Sequence, residues 1–125
     1  MGDIGIPNIL PTLVDRWFTD EFICMYPEVV DARLNEVIAT NADVFLTTFG
    51  INAETKMGPC LHDIIVPSLI LTGENDGGCY PRLNLKINAA MRSSELVILP
   101  EYKHSILIEA RDIVAKNILR VLAKI

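Results

Sequence analysis

The order of apolar and polar positions changes character midway along the chain. From residue 12 to residue 49 the pattern is helical. Pro27 suits the first turn of a helix. After it, Val30, Leu34, Val37 and Ile38 are spaced to share one helical face. Asn41 and Asp43 are capping types for a further short helix through Phe49, and Gly50 is a residue type that stops one. Gly58 and Pro59 mark residues 51–60 as a connection.

The second half has a different grammar. Ser68–Thr72 is a short apolar run, as a strand covered on both faces would be. A turn-forming cluster, Gly73–Gly78, follows it. A helix is predicted from Pro81, with Leu83, Ile87, Ala90 and Met91 on one face. Glu95–Leu99 reads as a second strand and residues 100–104 as a loop. Arg111–Ile125 reads as a last helix presenting Val114, Ile118, Val121, Leu122 and Ile125. Strand, helix, strand, helix implies a right-handed parallel βαβ unit, so the fold class is α/β. The expected division is 1–58, helices with an N-terminal segment, and 59–125, the βαβα part.

Composition narrows the function classes. Half of the 125 residues are apolar and 22% are charged, a globular balance. A net charge of −5 gives no basic footprint for nucleic acid, so no nucleic-acid partner is expected. The longest apolar stretch, residues 64–72, is interrupted by Pro67 and too short to span a bilayer; no membrane association is expected. Met1–Leu10 lacks the basic start of a secretory signal. Cys24, Cys60 and Cys79 are odd in number and widely spaced, which fits free thiols in a reducing compartment. Cytoplasm is the expected location.

Two residues stand out by position. Asp76 lies just past the first predicted strand and His104 just past the second. Ligands of an open parallel sheet bind outside the carboxyl ends of its strands. A carboxylate there can hold an imidazole in one tautomer, and the imidazole can then act as general base and acid. Singly, each residue has a plainer reading, a turn aspartate and a surface histidine. Together, and in that chain order, they carry more weight. Other sets are weaker. Cys60 and His62, with Cys79 and His104, have no common zinc spacing, and loop or core roles fit them better, so no metal and no cofactor is expected. A Cys79–His104 pair is conceivable, with an inert thiol the plainer reading.

Here a family resemblance becomes specific. Ile65–Asp76 resembles the P-(T/S)-L-hydrophobic-hydrophobic-x-G-x-x-D segment of α/β-hydrolases, which there forms a late core strand and the triad acid. Leu96–His104 resembles the last strand and the loop to the catalytic histidine. Ile108, Glu109 and the helix from Arg111 fit the family's ending. Asp15–Thr19 resembles the RWF(T/S) lead into the helical cap of enol-lactonase-like and haloperoxidase-like members. The resemblance implies Asp76 as triad acid and His104 as triad base. Trp17 and Phe18 are candidate substrate contacts under the cap, with packing of the helices the plainer reading. Asn75, Gly77 and Gly78 would shape the acid turn. The implied fold is the C-terminal portion of an α/β-hydrolase, two parallel strands with flanking helices, preceded by cap-type helices.

The departures are as informative. The sequence holds no G-x-S-x-G elbow. Ser68, Ser93, Ser94 and Ser105 stand in other contexts, and the oxyanion-hole segment is missing. Without a nucleophile no acyl-enzyme forms. The expectation is therefore an ester- or lactone-hydrolase half with no triad turnover alone. The competing expectation is a non-catalytic dimeric module derived from a hydrolase, binding a small ester- or lactone-like molecule or a partner. Two parallel strands make a poor sheet alone. A homodimer, or a missing N-terminal half, is expected to complete it.

Overall fold

A computed structural model of the chain describes residues 6–125. Part of the N-terminal segment read for a leader signal, residues 1–5, lies outside the described residues. Four helices come first: α1 (Ile6–Trp17), α2 (Asp20–Met25), α3 (Pro27–Ala39) and α4 (Ala42–Glu54). A 3-10 helix (Gly58–Asp63) leads to β1 (Ser68–Gly73). Then come α5 (Pro81–Ala90), β2 (Ser94–Leu99), a single turn α6 (Ile106–Glu109) and α7 (Arg111–Leu122).

The local chemistry explains most of these limits. Thr19 caps α2 by accepting from the Phe22 N–H, and Asn41 caps α4 by accepting from the Asp43 and Val44 N–H groups. Pro27 and Pro81 occupy first turns, where their missing N–H costs nothing. Three expectations need correction. The helical region begins at Ile6 rather than residue 12 and carries Pro11 inside α1. Gly50 does not stop α4, which runs to Glu54. No left-handed terminus is needed at Gly50: a helix can pass through glycine for about 1 kcal/mol. The connection at 51–60 is correspondingly shorter and folds into the 3-10 turn at Gly58.

β1 and β2 pair in parallel, in register from Ser68 with Ser94 to Gly73 with Leu99. Among the described residues the sheet has these two strands. Its carboxyl end places Asp76 and His104 on the same side, as the βαβ reading expects. The buried cluster Leu99, Ile106, Ala110 and Val114 joins β2 to α6 and α7, with Leu71, Val97 and Tyr102 packed against it.

Much apolar surface stays uncovered. Among the described residues seven hydrophobic side chains are buried, while twenty large ones are exposed. The last helix, α7, ends at Leu122 rather than Ile125; Val114 is buried but Ile118 and Leu122, and Ile125 beyond the helix, are exposed, so only part of the predicted face meets the core. On α5, Leu83 is exposed and Asn84 is buried instead. α4 leaves Val44, Leu46, Phe49 and Ile51 in solvent. Among the described residues no helix is long and apolar enough to cross a membrane.

Candidate active site

The site is built from two turns. The first follows β1. The Asp76 side chain folds back on its own backbone: Oδ1 accepts from the N–H of Gly78 and of Cys79, each at 2.8 Å. This is an Asx turn, the local bond that makes aspartate a turn residue. The Cys79 carbonyl is held in turn by the buried Thr72 hydroxyl at 3.3 Å and by the Asn84 amide at 2.8 Å. Asn84 therefore replaces the expected apolar residue on the inner side of α5 because it ties that helix to the acid turn.

The second turn follows β2. It is laced to the first through the backbone. The Glu74 N–H donates to the Leu99 carbonyl and the Asn75 N–H to the Tyr102 carbonyl, both at 2.9 Å. The Asn75 amide also donates to the Glu101 carbonyl, and the Glu101 N–H to a Glu74 carboxylate oxygen. Glu101 takes φ 68°, a left-handed conformation rare for a side chain of its size.

These bonds bring His104 Nδ1 to 2.8 Å from Asp76 Oδ2. Asp76 is 5% exposed, while the His104 side chain is 44% exposed. Burial alone would raise the Asp76 carboxyl. The Cys79 N–H, the His104 imidazole and the Gly78 N–H outweigh it and hold the group below the usual carboxylate range. An ionised carboxylate only accepts, so the proton sits on Nδ1 and Nε2 is the acceptor of the neutral ring. The pair has the chemistry of an oriented base.

A third segment braces the histidine loop. The Ser105 N–H donates to the Trp17 carbonyl at 2.8 Å, and Lys103 Nζ to the Asp15 carbonyl at 2.7 Å. The Thr19 N–H donates to Glu109 Oε2 at 3.1 Å, and the Thr19 hydroxyl bonds the other Glu109 oxygen. The sequence marks both segments but carries no sign that they are bolted together. Their separation of about ninety positions leaves no local signal.

The two other candidate residues, Trp17 and Phe18, lie on the helical side of the brace, half-buried and buried respectively. Phe18 is fully buried and stacks on Phe22 at 5.5 Å between ring centroids. Trp17 carries the Arg33 guanidinium over its ring at 5.7 Å. A cleft of about 360 Å³ is lined by Phe22, Tyr26, Val29, Tyr102, Ile108 and Arg111, and neither Trp17, Phe18 nor His104 reaches it. Cys79 stands beside the dyad, with its thiol pushed up by burial and by the Asp76 carboxylate. Cys60 and His62 take no part, and His62 pairs with Asp63.

Comparison with known proteins bears on the fold. No protein-family model matches the chain. Over 72 residues it is 31% identical to 3-oxoadipate enol-lactonase 2 of Acinetobacter baylyi, covering 58% of this chain and 27% of that protein. The enol-lactonase of Burkholderia xenovorans LB400 superposes with a TM-score of 0.91 at 21% identity, over 97% of this chain and 46% of the enzyme. A thermophilic esterase from Thermogutta terrifontis superposes with a TM-score of 0.84 at 20% identity, over 98% of this chain and 45% of the esterase. The chain thus spans less than half the length of each of these proteins. With its two parallel strands, flanking helices and preceding helical segment, the chain has the architecture of the C-terminal portion of the α/β-hydrolase fold.

Proposed function

We propose that the chain is the C-terminal half of an ester- or lactone-hydrolysing enzyme. Asp76 is the triad acid, His104 the triad base, and the nucleophile comes from a segment that this sequence does not contain. The observation that carries the reading is the 2.8 Å contact of His104 Nδ1 with a buried, ionised Asp76. Asp76 fixes the tautomer and would stabilise the imidazolium formed when Nε2 takes a proton. Residues up to 58 form the cap-like part and residues 59–125 the core part. The substrate is of the carboxylic ester or lactone class, in keeping with the names of the relatives.

A base without a nucleophile has nothing to activate, and the chain alone has no triad turnover. The expected result with p-nitrophenyl acetate is hydrolysis no faster for the chain than for His104→Ala. Turnover that His104→Ala abolishes would overturn the assignment of an incomplete triad.

The reading also requires cover for the open sheet. Among the described residues β1 and β2 each have an unpaired edge, and the exposed residues include Ile65 and Val66 at the approach to β1. Either the N-terminal half of the enzyme or a second copy of the chain supplies it. The second reading, a non-catalytic homodimer, draws on the same apolar surface. Light scattering separates the cases: a stable monomer at micromolar concentration counts against self-association.

A further inference from the structure

We propose that Asp76, Cys79 and His104 form a binding site for a thiophilic divalent cation, Zn²⁺ above all. Among the described residues this is the one group of three His, Cys or acidic side chains whose donor atoms come together, all within 4.8 Å of one another. Zinc sits about 2.3 Å from sulfur and about 2.0–2.2 Å from nitrogen or oxygen, so tetrahedral donors are roughly 3.3–3.8 Å apart. Around an ion of this size the longest of these separations closes by about 1 Å, while the 2.8 Å His104–Asp76 pair opens by about 0.5 Å.

The frame suits that closure. Asp76 and Cys79 belong to one Asx turn and are held together by the Cys79 N–H bond to Asp76 Oδ1. The carboxylate offers about four lone-pair positions. The Gly78 and Cys79 N–H groups both bond Oδ1, while Oδ2 meets His104 Nδ1; on metal binding Nδ1 releases its proton to solvent and becomes a ligand, and Oδ2 turns to the ion. His104 arrives from the neighbouring loop, whose position is fixed by the Asn75–Tyr102 backbone bond. Cys79 and His104 are both exposed, so an ion reaches them from solvent and their side chains have room to turn onto it. One oxygen, one sulfur and one nitrogen, with a fourth position left for water, is a three-ligand zinc arrangement. The thiolate selects against Mg²⁺ and Ca²⁺.

This inference does not rest on the hydrolytic reading. Cys79 has no part in the Asp76–His104 bond through its side chain, so the two readings fail separately. The three cysteines are all free and exposed, which gives an internal control. The full chain, stripped of metal, is alkylated with iodoacetamide with and without stoichiometric Zn²⁺, and each cysteine is followed by mass spectrometry. Zn²⁺ should slow modification of Cys79 at least tenfold and leave Cys24 and Cys60 unchanged. Co²⁺ should give a thiolate-to-metal charge-transfer band and tetrahedral visible bands, with one ion per chain. Cys79→Ser should weaken Zn²⁺ binding at least tenfold in calorimetry, while the His104 Nδ1–H resonance of the metal-free chain persists. Equal protection of all three cysteines, absence of the thiolate band, or equal affinity for Mg²⁺ would overturn the site. Ester hydrolysis that His104→Ala abolishes would overturn the incomplete triad and leave the metal site untouched.

Discussion

Gly73, the last residue of β1, lies directly beneath the Lys103 carbonyl: a Cβ placed on it would stand 2.1 Å from that oxygen and 2.4 Å from the Tyr102 carbonyl. Both neighbours are backbone, so neither can swing aside. This close approach lets the Asp76 turn and the His104 loop cross and bond to each other.

Gly73→Ala should therefore act on the site through the loop. Moving residues 102–103 breaks the Asn75–Tyr102 bond and pulls His104 away from Asp76. The expected loss of stability is about 1–3 kcal/mol, as for an overpacked core position. Urea unfolding measures it, and the His104 Nδ1–H signal should vanish or broaden in NMR spectra. A variant with wild-type stability and an intact signal would show that the crossing is looser than the backbone contacts imply.

The dyad should make the fold acid-sensitive. Asp76 is held below the usual carboxylate range when folded, so around pH 4 the unfolded chain binds more protons at this residue than the folded chain does. Its contribution is fully present above the unfolded carboxyl value, about 3.9, and is lost as pH falls through the lower folded value. Urea midpoints measured from pH 6 down to pH 3 should fall more steeply for the wild type than for Asp76→Asn. Parallel curves would remove Asp76 as a source of the acid limb. Glu95, pulled down to about 2 by Arg120 and then Lys124, lies on the surface and contributes a component that salt weakens.

The brace on the histidine loop is a separate test. Thr19 gives both its N–H and its hydroxyl to Glu109. Glu109→Ala leaves two partly buried donors without their acceptor, at a cost of about 1.5–3 kcal/mol, the range for hydrogen bonds to charged groups. Glu109→Gln keeps one acceptor oxygen and should cost less. Hydrogen exchange at the Ser105 amide, which donates to the Trp17 carbonyl, should quicken in Glu109→Ala. Unchanged exchange there would mean that the Trp17–Ser105 bond holds the segments together without Glu109.

What the sequence made legible follows from the range of the forces involved. β1 and β2 are short apolar runs ended by turn residues, and the limits read from them fall within one residue of the strands Ser68–Gly73 and Ser94–Leu99. Asp76 and His104 stand out because the ends of parallel strands are where such residues meet. The Thr19–Glu109 and Trp17–Ser105 links depend on tertiary contact between distant segments and left no periodic trace. The C-terminal apolar face differs from its expected burial for another reason. Ile118, Leu122 and Ile125 carry the spacing of a buried stripe, but the described fold has nothing to lay against them. Helical periodicity records the surface a segment is suited to bury, whether or not the covering partner is present. The same holds for α4, whose apolar residues deepen the case for a covering segment.

Glu101 offers the opposite kind of change, a substitution that should stabilise. Its φ of 68° places a side chain in the left-handed region, at about 1–2 kcal/mol for a residue with a Cβ. The groups that fix this turn are its backbone N–H, bonded to Glu74, and its carbonyl, bonded to the Asn75 amide. Glycine keeps both and removes the clash. It also adds freedom to the unfolded chain, worth about 0.5–1 kcal/mol in the other direction. Glu101→Gly should therefore gain about 0.5–1 kcal/mol, seen as a higher urea midpoint at unchanged slope, with the Asp76–His104 resonance intact. Glu101→Val, β-branched and ill-suited to positive φ, should lose stability at the same position. If glycine and valine shift the midpoint in the same direction, the turn is governed by something other than the backbone conformation at residue 101.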